Sequence, residues 1–546
     1  MRATATILLT FCILGCKPSD PKDPATWIAR LGEGDARSRV KAVHELRKLK
    51  ARGAAPALAK ALADLRVRED SVVALGELGD ESSVQPLLDA IDTNVGAGSD
   101  TATRAANRTN AKIADALGQL GDAKAGPALL RLARSRDDFV RLSATQALGQ
   151  LRYKDAVGEL AHIVDDEGSP PILVKKAIVS LGQIGDPAAI PALQHALVME
   201  MQGVSFISEA SYALFQLGAA AVEPMLKLVR DEDKAYLAWA RERKRAPAGT
   251  YAKAALVLGD LGDARAVPVL LERLKYQDPE PIPSTARLLT NVVRQFAADA
   301  LGRLRAKEAA APILALINTA EPQEEELVAF ATNALVWIGE QGQAAELVKR
   351  AAAPGAFRPR LLCAQAAALL GDPSIKKALL AAAEAKEKRP SPEACAQDLV
   401  ALQIAPEGMD AKAACARVAD ERAKAFKALL EPLDAAAACG AAADCWEKKL
   451  QGSPALVRAR AAYELGRAGA VAAIPALVKA AADPDLPARL AAIRALDWLA
   501  PLPAAQAQLK AAAATLAAQL QAEQGRVQFV KVNEELKRLH ARLARL

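Results

Sequence analysis

Aromatic residues are scarce in this chain of 546 residues, only 4% of it, and there are four histidines. His44, His162, His195 and His540 lie far apart in the sequence, and no H-E-x-x-H spacing joins any two of them. A G-x-S-x-G nucleophile elbow, a Walker phosphate loop and a C-x-x-C pair are also missing. These gaps remove the sequence signals of zinc hydrolases, serine hydrolases, P-loop nucleotide enzymes and zinc fingers. Past the first sixteen residues no apolar run is long enough to span a bilayer. The charge excess is small, +7 from 71 basic and 64 acidic residues, and does not by itself point to nucleic acid. What is abundant is Ala and Leu, which carry most of the 52% hydrophobic content. With few aromatics to favour strands, that composition predicts an all-α chain whose helices approach closely on small side chains.

The first residues, MRATATILLTFCILGC, set Arg2 before an apolar stretch too short to cross a membrane. The ending Ile13-Leu14-Gly15-Cys16 resembles a bacterial lipobox, although Ile stands where Leu is commoner. The resemblance implies cleavage before Cys16 and acylation of that cysteine. Residues 1–15 are then a lipoprotein signal peptide and 16–34 a polar, Pro-rich tether beginning KPSDPKDP. An ordinary signal peptide or a buried N-terminal helix are the alternatives. By similarity to bacterial sorting rules, Lys17 favours the outer membrane of an exported, envelope-bound protein. Export also disfavours a nucleic-acid partner.

The chain repeats itself. LGELGDESSVQPLL starts at Leu75, LGQLGDAKAGPALL at Leu117, LGQIGDPAAIPAL at Leu181 and LGDLGDARAVPVLL at Leu258. Weaker copies start at Leu49, Leu148, Leu214, Leu301, Leu335 and Leu465, with close copies about 31–34 residues apart. In the copy at 137–167, Val140, Ala144, Ala147, Leu148 and Leu151 form one helical stripe after a capping Asp137 or Asp138. A second helix runs through Val157, Leu160, Ala161 and Val164. Such a pair cannot bury its stripe alone, but stacked pairs can. The pattern L-G-x-L-G-D-x-x-A-x-P-x-L resembles the HEAT repeats, in particular the short bacterial type of phycobiliprotein lyases. The resemblance implies an α-solenoid of stacked helical hairpins, with first helices convex and second helices lining the concave side. It implies binding rather than a given chemistry. HEAT-like repeats are expected over 35–390 and 451–504, divergent Cys-containing helical repeats over 391–450, and C-terminal capping helices over 505–546.

Position by position, the repeat explains its own punctuation. Gly262 and its equivalents end a first helix, where a positive φ suits glycine. Asp263, like Asp80, Asp122, Asp186 and Asp372, accepts from free N–H groups at the next helix start. Pro268, with Pro86, Pro127, Pro191 and Pro224, fits a first helical turn. The position of Asp260 holds Glu77, Gln119, Gln183, Gln216 and Arg303 elsewhere, a set without common chemistry, and is read as a solvated face.

Five cysteines remain after Cys12 and Cys16, four of them within 391–450. In an oxidising compartment Cys439 with Cys445, and Cys395 with Cys415, are the disulfide candidates. Cys363 in its Ala/Leu-rich helix reads as a small buried residue. Metal and cofactor are not expected.

Insertions at 93–104, 198–207, 231–250, 276–288 and 318–326 break the repeat, and insertions of this kind often carry binding. In DEDKAYLAWARERKRAPAGT, Tyr236 and Trp239 precede Arg241, Arg243, Lys244 and Arg245, the residue types that dominate interfaces. The alternative packs Trp239 inward and leaves the basic run solvated. Tyr276 and QDPEPIP fill the next junction. Second helices ending Arg131/Arg134, Lys227/Arg230, Arg273/Lys275 and Lys349/Arg350 form either dipole partners or a basic ladder for an anionic partner. In the last segment Glu534, Lys537 and Arg538 are read as a polar cap, and Leu536, Leu539 and Leu543 as a short coiled-coil option. The expected function is a non-enzymatic, membrane-anchored scaffold for a partner protein. Envelope lipid or glycan handling, a structural role, and a phycobilin-lyase-like enzyme are the alternatives.

Overall fold

The computed structural model describes residues 20–545 apart from 33, 94–99, 322, 354–355, 385–391, 402–403, 405–409 and 524–529. Cys16 lies outside these residues. The chain is α-helical, with strands among the described residues only at Glu200–Met201 and Val204–Ser205. No helix among them is long and apolar enough to cross a membrane. Two compact units are formed, residues 1–192 with 201–204, and residues 193–200 with 205–546.

The repeat at 137–167 shows how the sequence makes a helical pair. Asp137 Oδ1 accepts from the N–H groups of Phe139 and Val140, at 3.0 and 3.1 Å, and starts the first helix Asp138–Gln150. That helix buries Val140, Ala144, Ala147 and Leu148. A 3-10 turn, Lys154–Ala156, leads into the second helix Val157–Asp165, which buries Val157, Leu160, Ile163 and Val164. Each buried Val, Leu or Ile side chain among these contributes roughly 1.5–3 kcal/mol on leaving water. The next repeat is joined through Ser180, whose hydroxyl donates to the Thr145 carbonyl at 2.8 Å.

The aspartate after the second glycine caps the 3-10 turn rather than the helix that follows. Asp80, Asp122, Asp186, Asp263 and Asp372 each accept the N–H two residues on, at 2.8–2.9 Å. Gly262 takes a φ of 75° as the first helix Pro247–Leu261 ends. Where the glycine is replaced, Lys50, Arg152 and Arg305 accept the same left-handed backbone at φ 51–54°. Pro224 departs from the expected first turn. Its copy lacks the 3-10 turn, so the helix Ala219–Arg230 begins earlier and encloses the proline.

The first glycine of each copy has a separate role. A Cβ on Gly118 would lie 2.9 Å from Ala147 Cα, and one on Gly259 would lie 2.8 Å from Ala300 Cα. Successive first helices therefore meet backbone to backbone.

Two sequence boundaries shift. Pro24–Gly32, inside the segment read as a tether, is helical, because Trp27 is buried and its Nε1 donates to the Pro21 carbonyl at 2.8 Å. The segment read as a polar end cap also differs. It comprises helices Pro503–Glu523 and Val530–Leu543, and in the latter Glu535 and Arg538 are buried along with Leu536, Leu539 and Leu543.

Candidate binding surface

The junction candidates divide. Tyr236 is buried, with its hydroxyl 2.8 Å from Thr250 Oγ1. Trp239 is half-buried and stacks on His195, ring centroids 4.0 Å apart and 7° from parallel. Arg243 sits 5.2 Å over the Trp239 ring and pairs with Glu242 at 3.0 Å. Arg245 is half-buried, while Arg241 and Lys244 are exposed. Tyr236 and Trp239 thus anchor the inserted helix Lys234–Glu242, and the outward charge is carried by Arg241 and Lys244. In the next junction Tyr276 meets Tyr251 edge-on at 5.5 Å and donates to Asp278 at 2.7 Å. Burial and a hydrogen bond to Asp231 push the Tyr251 hydroxyl up to about 12.

The basic ladder is largely satisfied within the protein. Arg134 pairs with Glu159, Lys275 with Glu272 and Lys349 with Glu346. Arg273 Nε donates to the Val229 carbonyl at 3.1 Å, and Arg350 donates to those of Ile317 and Ala320. Both arginines reach the last carbonyls of an earlier second helix, which are otherwise without intrahelical donors. That is the dipole role, carried across repeats.

Both disulfides are formed. Cys395 and Cys415 join across the helical hairpin with Cα atoms 5.1 Å apart, and Cys439 and Cys445 join at 5.3 Å. Cys363 is a buried free thiol, and burial pushes it up to about 12. Among the described residues no group of His, Cys, Asp or Glu could hold a metal ion.

The informative position is the one held by Asp260. In the first unit its equivalents Glu77, Gln119, Gln150 and Gln183 are exposed. The three amides form a ladder. A Cβ on Gly76 would meet Gln119 Oε1 at 2.8 Å, one on Gly118 would meet Gln150 Oε1 at 2.3 Å, and one on Gly149 would meet Gln183 Oε1 at 2.5 Å. Each glutamine thus lies over the glycine of the preceding first helix.

In the second unit the same position is enclosed, which corrects the expectation of a solvated face. The Asp260 side chain is 0% exposed and lies 2.9 Å from Arg303 Nη1. Arg303 also binds Asp299 at 2.6 Å and Glu535 at 2.7 Å. From the helix Val530–Leu543, Arg538 Nε lies 2.6 Å from Asp260 Oδ2, as a charge contact rather than an aligned hydrogen bond. Glu535 meets Arg494 at 3.0 Å, and Arg542 meets Asp497 at 2.8 Å. Arg542 and Arg545 further donate to the carbonyls of Asp260 and Phe215. Burial opposes the charge on Glu535, but Arg303, Arg494 and Arg538 outweigh it and hold the carboxyl well below the usual range. Burial raises Asp260 despite Arg538 and Arg303.

Distant repeats of this unit also touch. Trp337 Nε1 donates to the Tyr463 hydroxyl at 3.4 Å, and Arg494 lies 4.6 Å over the Trp337 ring. Arg467 donates to the Val336 carbonyl, and Arg305 lies 4.9 Å over Trp498. Repeats far apart in the sequence thus meet within this unit. First helices, not the second helices implied by resemblance, line the enclosed side. A signal for this was present. The Asp260 position carries Glu77 and then the neutral amides Gln119, Gln150, Gln183 and Gln216 in early copies, and Asp260, Arg303, Trp337, Arg467 and Trp498 in later ones.

Two family models match the chain. The model for HEAT repeats matches residues 101–172, 140–204 and 444–525. The model for the PBS lyase HEAT-like repeat matches 67–93, 251–276 and 293–319. No curated protein sequence matches. Among solved structures, human deoxyhypusine hydroxylase in complex with glycerol is similar at 17% identity, covering 58% of this chain and 96% of its own, with a TM-score of 0.22. Yeast importin-beta (Kap95p) is similar at 12% identity, covering 91% of this chain and 69% of its own, with a TM-score of 0.43. The CpcE–CpcF complex of phycocyanin lyase from Nostoc sp. is similar at 20% identity, covering 61% of this chain and all of its own, with a TM-score of 0.23.

Proposed function

Since the chain is built of HEAT repeats, we propose that it is a non-enzymatic scaffold that binds a partner protein along the first-helix face of residues 75–183. The observation that carries this reading is the exposed ladder Gln119, Gln150 and Gln183, one amide per first helix in the same register. A primary amide both donates and accepts. A row of them suits the alternating N–H and C=O groups of a peptide segment better than it suits an anion, which asks only for donors. Adjacent first helices stand about 8–10 Å apart, so successive amides can reach backbone groups about two to three residues apart in an extended chain, which rises about 3.3 Å per residue. Arg241 and Lys244 on the 231–250 insertion offer a second, cationic contact.

The scaffold is further proposed to be an exported lipoprotein anchored through Cys16, on the strength of the lipobox-like Ile13-Leu14-Gly15-Cys16. Two acyl chains suffice for stable anchoring.

The test is affinity capture from envelope membranes, comparing the native chain with the triple variant Gln119→Ala, Gln150→Ala, Gln183→Ala. The reading expects a protein partner that the native chain retains and the folded variant loses. Undiminished recovery with the variant would refute the ladder. Recovery of lipid or glycan alone would refute the protein partner. For the anchor, Cys16→Ala should move the protein out of the membrane fraction, and unchanged fractionation refutes it.

A further inference from the structure

The helix Val530–Leu543 occupies a surface built for a helix. It has one charged face, Glu535, Arg538 and Arg542, and one apolar row, Val532, Leu536, Leu539 and Leu543, all buried. The charged face is met by side chains from three separate helices: Asp260 from Pro247–Leu261, Arg303 from Pro283–Arg303, and Arg494 and Asp497 from Leu486–Leu499. Just past the helix, Arg545 donates to the Phe215 carbonyl of Ile207–Leu217. Ser208 adds a hydroxyl 3.3 Å from Glu534 at the rim.

Two properties mark this helix as an occupant rather than a keystone. A helix of this length is marginal in isolation, so its folding is coupled to its docking. Beside its apolar row it buries a network of ion pairs, and buried ion pairs can specify register more than they stabilise. Withdrawing the helix would uncover Asp260, Arg303, Arg494 and the Phe215 ring over which Arg542 lies, a lining of charge beside an aromatic side chain of the kind found at interfaces.

We propose that this lining is a helix-binding groove, filled in cis by Val530–Leu543 and opened to an amphipathic helix of a partner protein. The guest carries a glutamate followed by arginines at the third and seventh positions after it, with leucines on the adjoining face. Tethering gives the cis helix an effective concentration in the millimolar range, so a guest must compete with it, and binding is gated. This groove is independent of the glutamine ladder, and either can fail without the other.

The test uses the full chain and a fluorescent synthetic peptide of residues 530–545. Glu535→Lys with Arg538→Glu alters only the cis helix and leaves every groove residue intact. The folded double variant should bind the peptide at least tenfold more tightly than the native chain, and a peptide carrying the same two substitutions should not bind it. Equal binding by both chains, or none by the folded variant, overturns the proposal. Hydrogen exchange on the native chain keeps it testable if the variant does not fold. The amides of 532–543 should exchange at least tenfold faster than those of Leu486–Leu499. Exchange of both in one global step would make the helix a permanent part of the core and overturn the groove. A concentration-dependent dimer that trades this helix would assign the guest as a second copy and also overturn it.

Discussion

Gln119 and Asp260 hold the same place in the repeat, yet one is exposed and the other is sealed in an ion network. The residues around them do not differ in kind. Gly118 and Gly259 both press on the next first helix, and the capping Asp122 and Asp263 both accept an N–H two residues on. What differs is what covers the face. In the first unit the place is filled by side chains that water satisfies. In the second it is filled by charges and tryptophans that need one another. The invariant parts of the repeat build the scaffold, and the variable part decides whether a face is open or closed.

The largest expected effect breaks this contrast directly. Arg303→Ala leaves Asp260, Asp299 and Glu535 buried without their shared cation and should cost about 3–5 kcal/mol in the second unit. Gln119→Ala should stay within about 0.5 kcal/mol. Denaturant unfolding followed by tryptophan emission separates the two, because Trp27 alone reports the first unit while the other four report the second. Next, Gly118→Ala and Gly259→Ala should each cost about 1–3 kcal/mol by overpacking. Equal costs would show that the scaffold is the same under both faces, and a loss confined to one unit would refute it.

Smaller still are the caps. Asp80→Ala and Asp263→Ala should each lose about 1 kcal/mol at neutral pH. The side-chain hydrogen bond to Ser82 and that to Arg265, respectively, lead in holding these two carboxyls below the ordinary aspartate value. A depressed carboxyl gives its full stabilisation above the unfolded value near 4 and loses it as pH falls through the folded one. The gap between native and variant should therefore close as the solution is acidified below about pH 4, and a gap that widens there would be contrary. The least effect is a difference in sign. Arg152→Gly relieves a left-handed backbone and should gain about 0.5–1 kcal/mol. Arg305→Gly relieves the same backbone but gives up the stack on Trp498, so its gain should be smaller or reversed. Thermal denaturation of the two variants measures both.

The fold was legible because it was written several times. One Gly-Asp-x-x-Ala-x-Pro string is ambiguous, but recurrence ties Gly262 to a helix end and Asp263 to a cap on physical grounds. The disulfide pairs were legible too, since four cysteines within 391–450 leave few partners. Asp260 was not. Averaging over copies treats a position as having one role, and its copies disagree because their surroundings do. Nor could the meeting of Trp337 with Tyr463 be read, since it depends on small rotations summed over several repeats, and no single repeat encodes a sum. The burial of Glu535 follows from that same closure. Trp239 was legible as an aromatic insertion, but not its stack on His195, a residue that reads alone as ordinary packing.

Time enters through the helix Val530–Leu543. Ser208 and Glu534 are separated by 326 residues, and Arg545 and Phe215 by 330. Each helical pair can fold on its neighbours as it is synthesised, within a few tens of residues. The groove cannot close on that schedule. At a synthesis rate of about 5–20 residues per second, Asp260 and Arg303 wait tens of seconds for Glu535 and Arg538. During that interval their charges stay hydrated and paired only with each other and with Asp299. The second unit thus has a fast, local phase of assembly and a late, long-range one, and the late phase is the step at which the groove first acquires an occupant.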